Sequence, residues 1–314
     1  MKDLLAVIML LGIYSLLSAS FFVAMDAADV AFTEAAVGAG ISTLLMLVTI
    51  SMTGRSEHPV RHKPLLALAV VIITGSLLIY GTLDMPYFGS AEAPIHQHVA
   101  PRYINDSMQE IGVPNIVTSV LASYRAFDTF GEVVVIFTAG IGVLALLSVV
   151  RRREYTINDD SFNHSMHKQH LILRIVTKMM IPFILLFAFY VQFHGDFGPG
   201  GGFQAGVIFA SAVFLYTMLF GTSTARQVIN QSFIQLLAAT GVLLYGSVGI
   251  VSLLIGKEFF DYSALSADPI TGQHLGILLI ELGVGITVAS IMIIIFFNFV
   301  GRRNNLQHKE NEGD

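Results

Sequence analysis

Cysteine and tryptophan are both absent from this 314-residue chain, and charged residues make up only 12% of it. Without cysteine there is no disulfide, no thiolate metal site and no Cys-ligated iron–sulfur cluster, and the redox compartment leaves no mark. Without tryptophan, Tyr and Phe are left to act as aromatic anchors at a membrane–water interface. The scarcity of charge goes with 54% hydrophobic residues and a mean hydropathy of +0.71, which excludes an ordinary soluble domain. The formal net charge is -5, and no basic patch suggests nucleic acid.

What the chain has in their place is long apolar runs. A helix needs roughly 20 apolar residues to cross the hydrocarbon core, and eight stretches qualify: 4–25, 29–51, 64–83, 130–150, 171–193, 202–222, 229–255 and 273–300. None shows the alternation that a membrane barrel requires, and only a helix satisfies its backbone polar groups within one segment. The expected fold is therefore an all-α integral membrane protein of about eight transmembrane helices.

Lys and Arg set the expected orientation. With the N-terminus in the cytoplasm, the inner side holds Lys2, Arg55, Arg61, Lys63, Arg151, Arg152, Arg153, Lys168, Arg174, Arg226, Arg302, Arg303 and Lys309, and the outer side only Arg102, Arg125 and Lys257. Inverting the chain or dropping one helix destroys this asymmetry, so both termini are expected to be cytoplasmic. The first run, with Lys2 before it and Ser18-Ala19-Ser20 near its end, has some look of a signal peptide. It is longer than a usual h-region and a second helix follows at once, so it is read as a retained span.

Two polar stretches divide the chain. Residues 84–129 form an outer segment containing "VPNIVTSVLASY" (113–124), an amphipathic stretch suited to an interface. Residues 151–170, beginning "RRREYTINDD", form an inner linker between helices 1–4 and helices 5–8. No internal repeat relates these halves, so an inverted-repeat transporter is not expected.

The stretch "HGDFGPGGGFQAG" (194–206) interrupts two apolar runs. A phosphate-binding loop would need a preceding strand and a terminal Gly-Lys-Ser/Thr, and a dinucleotide site would need a βαβ unit; neither context exists. The stretch is read as an outer turn in which Pro199, Gly200 and Gly201 lead into helix 6 at Gly202. Gly202, Gly206 and Ala210 then recur at i, i+4 and i+8 as a small-residue stripe that lets another backbone approach.

Three segments carry a resemblance. "HGDFGPGGGFQAGVIFA", preceded by "VTKMMIPFILLFAFYVQF", resembles the B subunit of the multisubunit Mrp-type sodium/proton antiporters, the MnhB/MrpB family. "MDAADVAFTEAAVGAGISTLLML" (25–47) resembles the MbhD-like domain, and "GVPNIVTSVLASYRAFDTFGEVVVIFTAGIGVLALL" (112–147) the MbhE-like domain. The chain then resembles a fusion: an MbhD-like module at 1–63, an MbhE-like module at 64–150, the linker at 151–170, and an MnhB/MrpB-like module with a short cytoplasmic tail at 171–314. The family's loop often has Asn or a second His where this chain has Asp196.

The resemblance implies an accessory subunit of a Na⁺/proton antiporter in a prokaryotic inner membrane. It further implies partners that include large antiporter-like subunits, lipid, and Na⁺ and H⁺ as transported ions, with no cofactor and no resident metal. A membrane-arm subunit of a complex-I-related redox pump, such as a membrane-bound hydrogenase, and a purely structural scaffold stay open beside it. No nucleophile–base pair suggests a freestanding enzyme.

Ionisable residues inside apolar segments are costly and therefore candidates for an ion path. Glu34 lies about five residues into helix 2, roughly 7 Å deep at 1.5 Å per residue. It is placed to pass a proton or, with Thr33, to bind Na⁺, or else to pair with a neighbouring helix. Asp128 and Glu132 share a face at i, i+4, with Arg125 three residues before Asp128. They are read either as part of an ion path or as a local ion-pair cluster. Lys178, on the same side as Arg174, either snorkels to the inner interface or is a buried proton carrier. Glu281 lies deepest, about eight residues and roughly 12 Å into helix 8. His194 and Asp196 stand at the outer mouth. His96 and His98 form a lone H-x-H pair, a weak metal signal, and His274 falls near a helix end.

Overall fold

The computed structural model describes residues 3–57, 64–87, 89–148 and 171–311. The inner linker 151–170, with Arg151, Arg152, Arg153 and Lys168, lies outside the described residues, as do Arg61 and Lys63. Among the described residues there are eight helices long and apolar enough to span a membrane. Beyond an isolated bridge between Asp3 and Ser56, these residues form no strand. The chain is an all-α, multi-pass membrane protein.

The spanning helices are α1 (Leu4–Ala24), α2 (Ala28–Ser51), α3 (Pro64–Thr82), α4 (Ala126–Ser148), α5 (Leu171–His194), α6 (Gly202–Val228), α7 (Gln231–Leu254) and α8 (Pro269–Asn311). The starts of α1, α7 and α8 carry capping side chains that accept otherwise unpaired first-turn N–H groups. Asp3 accepts from Leu5 N at 2.9 Å, Asn230 from Ser232 N at 2.9 Å, and Asp268 from Thr271 N at 2.9 Å. Gly201, at φ +111°, turns the chain into α6 in a conformation suited to glycine.

The spanning part of α8, Pro269–Val300, is the most apolar of the eight spans, and a helix apolar nearly all round belongs in the interior. It fills the centre, with α6 and α7 on its flanks, α4 against both α7 and α8, and α5 on the far side of α6. Ile277, Val288 and Phe297 of α8 are fully buried, together with Tyr245 of α7. The α1–α2 hairpin packs on itself and touches α6 and α8 more lightly. α3 is exposed along nearly its whole length.

Three local features depart from the sequence expectation. α2 is not one regular helix: Ala35–Ser42 ("AAVGAGIS") is wound as a π-helix between α-helical Ala28–Glu34 and a last α-helical part that starts at Thr43 and runs two residues past the apolar span, to Thr53. The stretch 113–124 is more than an interfacial strip. It forms a short helix, Ile116–Thr118, and a π turn, Ser119–Tyr124, and its Val113 and Ser119 are fully buried. Its polar groups go inward because the glycine loop offers carbonyl partners there. α4 also begins earlier than expected, at Ala126, so Asp128 and Glu132 both lie on regular helix.

A carboxylate-lined cavity where three segments meet

The turn between α5 and α6 is closed by its own backbone. Gly201 N donates to Val191 O at 3.0 Å, and a side chain on Gly200 would come within 2.7 Å of that same carbonyl. The loop thus folds back on the end of α5, and only glycine fits. What it folds over is Glu281. A methyl group on Gly195 would stand 3.0 and 3.2 Å from the two Glu281 carboxylate oxygens, and one on Gly201 would stand 3.2 Å from Oε1.

The small-residue stripe serves the same approach. A side chain at Gly202 would collide with the carbonyl of Glu281, and one at Gly206 would lie 2.7 Å from the Gly285 carbonyl and 3.1 Å from Ala289 N. Ala210, one turn further, is fully buried. α6 and α8 are therefore in backbone contact at the turn of α8 that carries Glu281.

The 113–124 segment ties this loop to the N-terminal hairpin through Asn115. Its Nδ2 donates to Gly195 O at 3.1 Å and Gly198 O at 3.2 Å, and lies 3.4 and 3.5 Å from the Asp29 carboxylate oxygens. Its backbone N donates to Asp196 O at 3.1 Å, and Thr118 Oγ1 donates to Gly195 O at 2.6 Å. Asp29 also accepts from Gly200 N at 3.4 Å. Residues far apart in sequence thereby form one polar junction.

Beneath it lies a cavity of about 350 Å³, walled by α2, the 113–124 segment, α4, α6 and α8. Its polar lining is Asp29, Thr33, Thr118, Thr129, Glu132, Gln204 and Glu281, with the glycines 200–202. Of the candidates read from the sequence, Glu132 and Glu281 are brought together here. Asp29 and Gln204 belong to the site and were not singled out. The i, i+4 spacing of Asp29 and Thr33 was the available signal for the first.

The other candidates go elsewhere. Glu34 Oε1 lies beside Gly38 and near Ser15, between α1 and α2, and does not line the cavity. Asp128 turns outward and pairs with Arg125 at 2.5 Å, both side chains being more than half exposed. Lys178 is exposed, with Nζ 5.3 Å from the Phe220 ring, over which Arg174 also sits at 5.3 Å. Phe220 lies 18 residues along α6 from Gly202, about 27 Å at 1.5 Å per residue, so this pair marks the opposite membrane face. His194 stacks on Tyr190, ring centres 4.8 Å apart. Asp196 meets His274 Nδ1 at 3.3 Å, giving that histidine a partner. His96 and His98 are exposed. No group of three or more His, Asp or Glu among the described residues is placed to hold a metal ion.

Outside the spans, one cluster braces the outer segment. Arg102 pairs with Glu110 at 3.2 Å, and the Tyr124 hydroxyl donates a short hydrogen bond to the same carboxylate. That hydroxyl first, and then Arg102, hold the Glu110 carboxyl below its ordinary value despite some desolvation. Desolvation and the neighbouring carboxylate push the Tyr124 phenol up.

Fold and site together define a multi-pass membrane protein with a partly enclosed, carboxylate-bearing cavity at the junction of its N-terminal, middle and C-terminal segments. Residues 172–294 match the family described as "Domain related to MnhB subunit of Na+/H+ antiporter", residues 1–55 match the MbhD family, and residues 66–167 match the MbhE family. Relatives named "Putative antiporter subunit mnhB2" from Staphylococcus aureus, strains Newman and JH1 among them, are 33% identical over 142 residues, covering 44% of this chain and 100% of theirs. The chain belongs to the MnhB family.

Two solved structures share the fold. A chain of the Mrp complex from Dietzia sp. DQ12-45-1b aligns with a TM-score of 0.72 and 23% identity, over 95% of this chain and 32% of that one. This chain thus spans about a third of the length of that relative. A chain of the membrane-bound sulfane sulfur reductase, an archaeal respiratory membrane complex, aligns with a TM-score of 0.54 and 28% identity, over 76% of this chain and 98% of that one.

Proposed function

We propose that this chain is an accessory membrane subunit of a multisubunit Mrp-type Na⁺/proton antiporter and that its cavity forms part of the cation or proton path. The observation that carries the reading is the closure of the MnhB-type glycine loop over Glu281, within a cavity also lined by Asp29 and Glu132. A carboxylate at that depth is costly in a membrane protein unless it meets an ion, a proton or a polar partner. The chain is a transport subunit whose partners are other antiporter subunits, the larger pumping chains among them. Its termini face the cytoplasm of a prokaryotic cell, following the Lys and Arg distribution.

The modules are taken as 1–63, 64–150 and 171–314. Lys178, His194 and Asp196 serve entry and exit at the two faces, Asp128 is held in its surface ion pair with Arg125, and Glu34 serves the α1–α2 contact. Purification of the intact assembly in mild detergent tests the reading: large antiporter-like subunits with small membrane partners are expected. Co-purification of hydrophilic, cluster-bearing chains would instead support a redox-driven complex, the second reading that the alignment with the sulfane sulfur reductase favours.

A further inference from the structure

We infer that Asp29, Thr33, Gln204 and Glu281 form a binding site for a single Na⁺, which competes with a proton at Glu281. The inference rests on the antiporter reading and adds to it a place and a ligand set. Its first support is the isolation of Glu281. No donor among the described residues hydrogen-bonds to its carboxylate, and no Lys, Arg or His lines the cavity. A carboxylate without a donor in a partly enclosed cavity takes up either a cation or a proton.

The second support is Gln204, only 7% exposed, whose amide orientation the hydrogen bonds determine. Thr33 Oγ1 gives its proton to Asp29 O at 3.0 Å, so it can only accept from Gln204, which approaches at 2.7 Å. The Gln204 donor is thus Nε2, and Oε1 is left at the cavity wall with no donor among the described residues. Gln204 Oε1 and Glu281 Oε1 converge over the same backbone point, 3.7 and 3.2 Å from where a methyl group on Gly201 would stand. Both oxygens face the cavity with no donor on them, and the partner that fits there is a hard cation, which takes carboxylate, amide and hydroxyl oxygens.

Charge decides for a monovalent ion. Asp29 already has the Asn115 amide and Gly200 N–H beside it, at 3.4 to 3.5 Å. Glu281 is the carboxylate left without a partner. The titratable groups facing it are Asp29 from α2, Glu132 from α4, Asp196 from the glycine loop, engaged with His274, and Tyr245 from α7, whose hydroxyl donates to Ala126 O at 2.8 Å. The three carboxylates carry the sign that strengthens binding of a cation or proton. The cavity has room for the ion and a few waters to complete its shell.

The test uses the purified, assembled complex treated with dicyclohexylcarbodiimide, which adds to a protonated carboxyl in apolar surroundings. Labelling of the α8 peptide is quantified by mass spectrometry. Labelling at Glu281 is expected, falling by roughly tenfold when Na⁺ is raised to tenfold above its dissociation constant, with no fall in choline. Gln204→Leu is expected to label as fully without Na⁺ but to need more Na⁺ for protection. Absence of labelling, labelling indifferent to Na⁺, or equal protection by choline would overturn the site. Antiport is measured on the same preparation. A complex that exchanges Na⁺ for protons while Glu281 labelling ignores Na⁺ refutes the site and leaves the functional reading standing. A complex that moves neither ion overturns both.

Discussion

Gly206→Ala is expected to loosen the core where α6 meets α8. The added methyl would sit 2.7 Å from the Gly285 carbonyl oxygen, 2.9 Å from Val288 Cβ and 3.1 Å from Ala289 N. Two of these three are backbone atoms of a buried helix and cannot rotate aside, so the helices must separate. Overpacking of this kind costs about 1–3 kcal/mol, against about 0.5–1 kcal/mol gained from the better helix propensity of alanine. The net loss is about 1–2 kcal/mol, or a fall of roughly 2–8 °C in the melting midpoint at about 2–4 °C per kcal/mol, the scaling for domains of 150–250 residues. Gly142 of α4 is the control, because a methyl group there meets nothing within 4 Å. Gly142→Ala should be neutral or stabilising by up to about 1 kcal/mol. Thermal melts in one detergent, followed by loss of the monodisperse peak, compare the two. If Gly206→Ala melts with Gly142→Ala, backbone contact is not what the stripe provides.

Other outcomes follow from the same geometry. Asp128→Asn is expected to leave antiport within about twofold of wild type, since an exposed ion pair of this kind contributes little; a tenfold loss would place Asp128 on the path after all. Tyr124→Phe should destabilise the outer segment in a pH-dependent way. The Glu110 carboxyl is held low in the folded chain, so its contribution is present above the unfolded carboxylate value and disappears as pH falls through the folded one. The difference in melting temperature between wild type and Tyr124→Phe should therefore be full at pH 7 and close at acid pH, and a difference constant with pH would contradict this. Asn115→Ala removes the amide that bridges Gly195, Gly198 and Asp29, and is expected to cost about 1–3 kcal/mol and expose the glycine loop to limited proteolysis. A loop no more sensitive than in wild type would contradict it.

Much of this was legible in the residues, for local reasons. Apolar length marks the spans because hydrocarbon thickness sets it. The Gly202–Gly206–Ala210 stripe reads directly from helical spacing, and Glu281 from its depth within an apolar run. The rest depended on approach in space. Asp29 sits in "MDAADV", which reads as a polar turn between helices, and its partners Asn115 and Gly200 lie 86 and 171 residues away. Asp128 and Glu132 share a face by spacing, yet Arg125 draws the first outward while the second lines the cavity. The π-helical turn of α2 left no signature, because small residues suit an α-helix equally well. The glycine loop was read as a turn and a packing surface; its closure over Glu281 needed α8 in place.

The most direct test of the central claim is Na⁺-dependent proton movement in everted membrane vesicles carrying the complete complex, with Glu132→Gln and Glu281→Gln introduced singly and assembly verified on native gels. Loss of antiport by roughly tenfold or more is expected in each variant with the complex intact. Unchanged transport in both variants, from an assembled complex, would contradict an ion path through this cavity and leave the chain a scaffold.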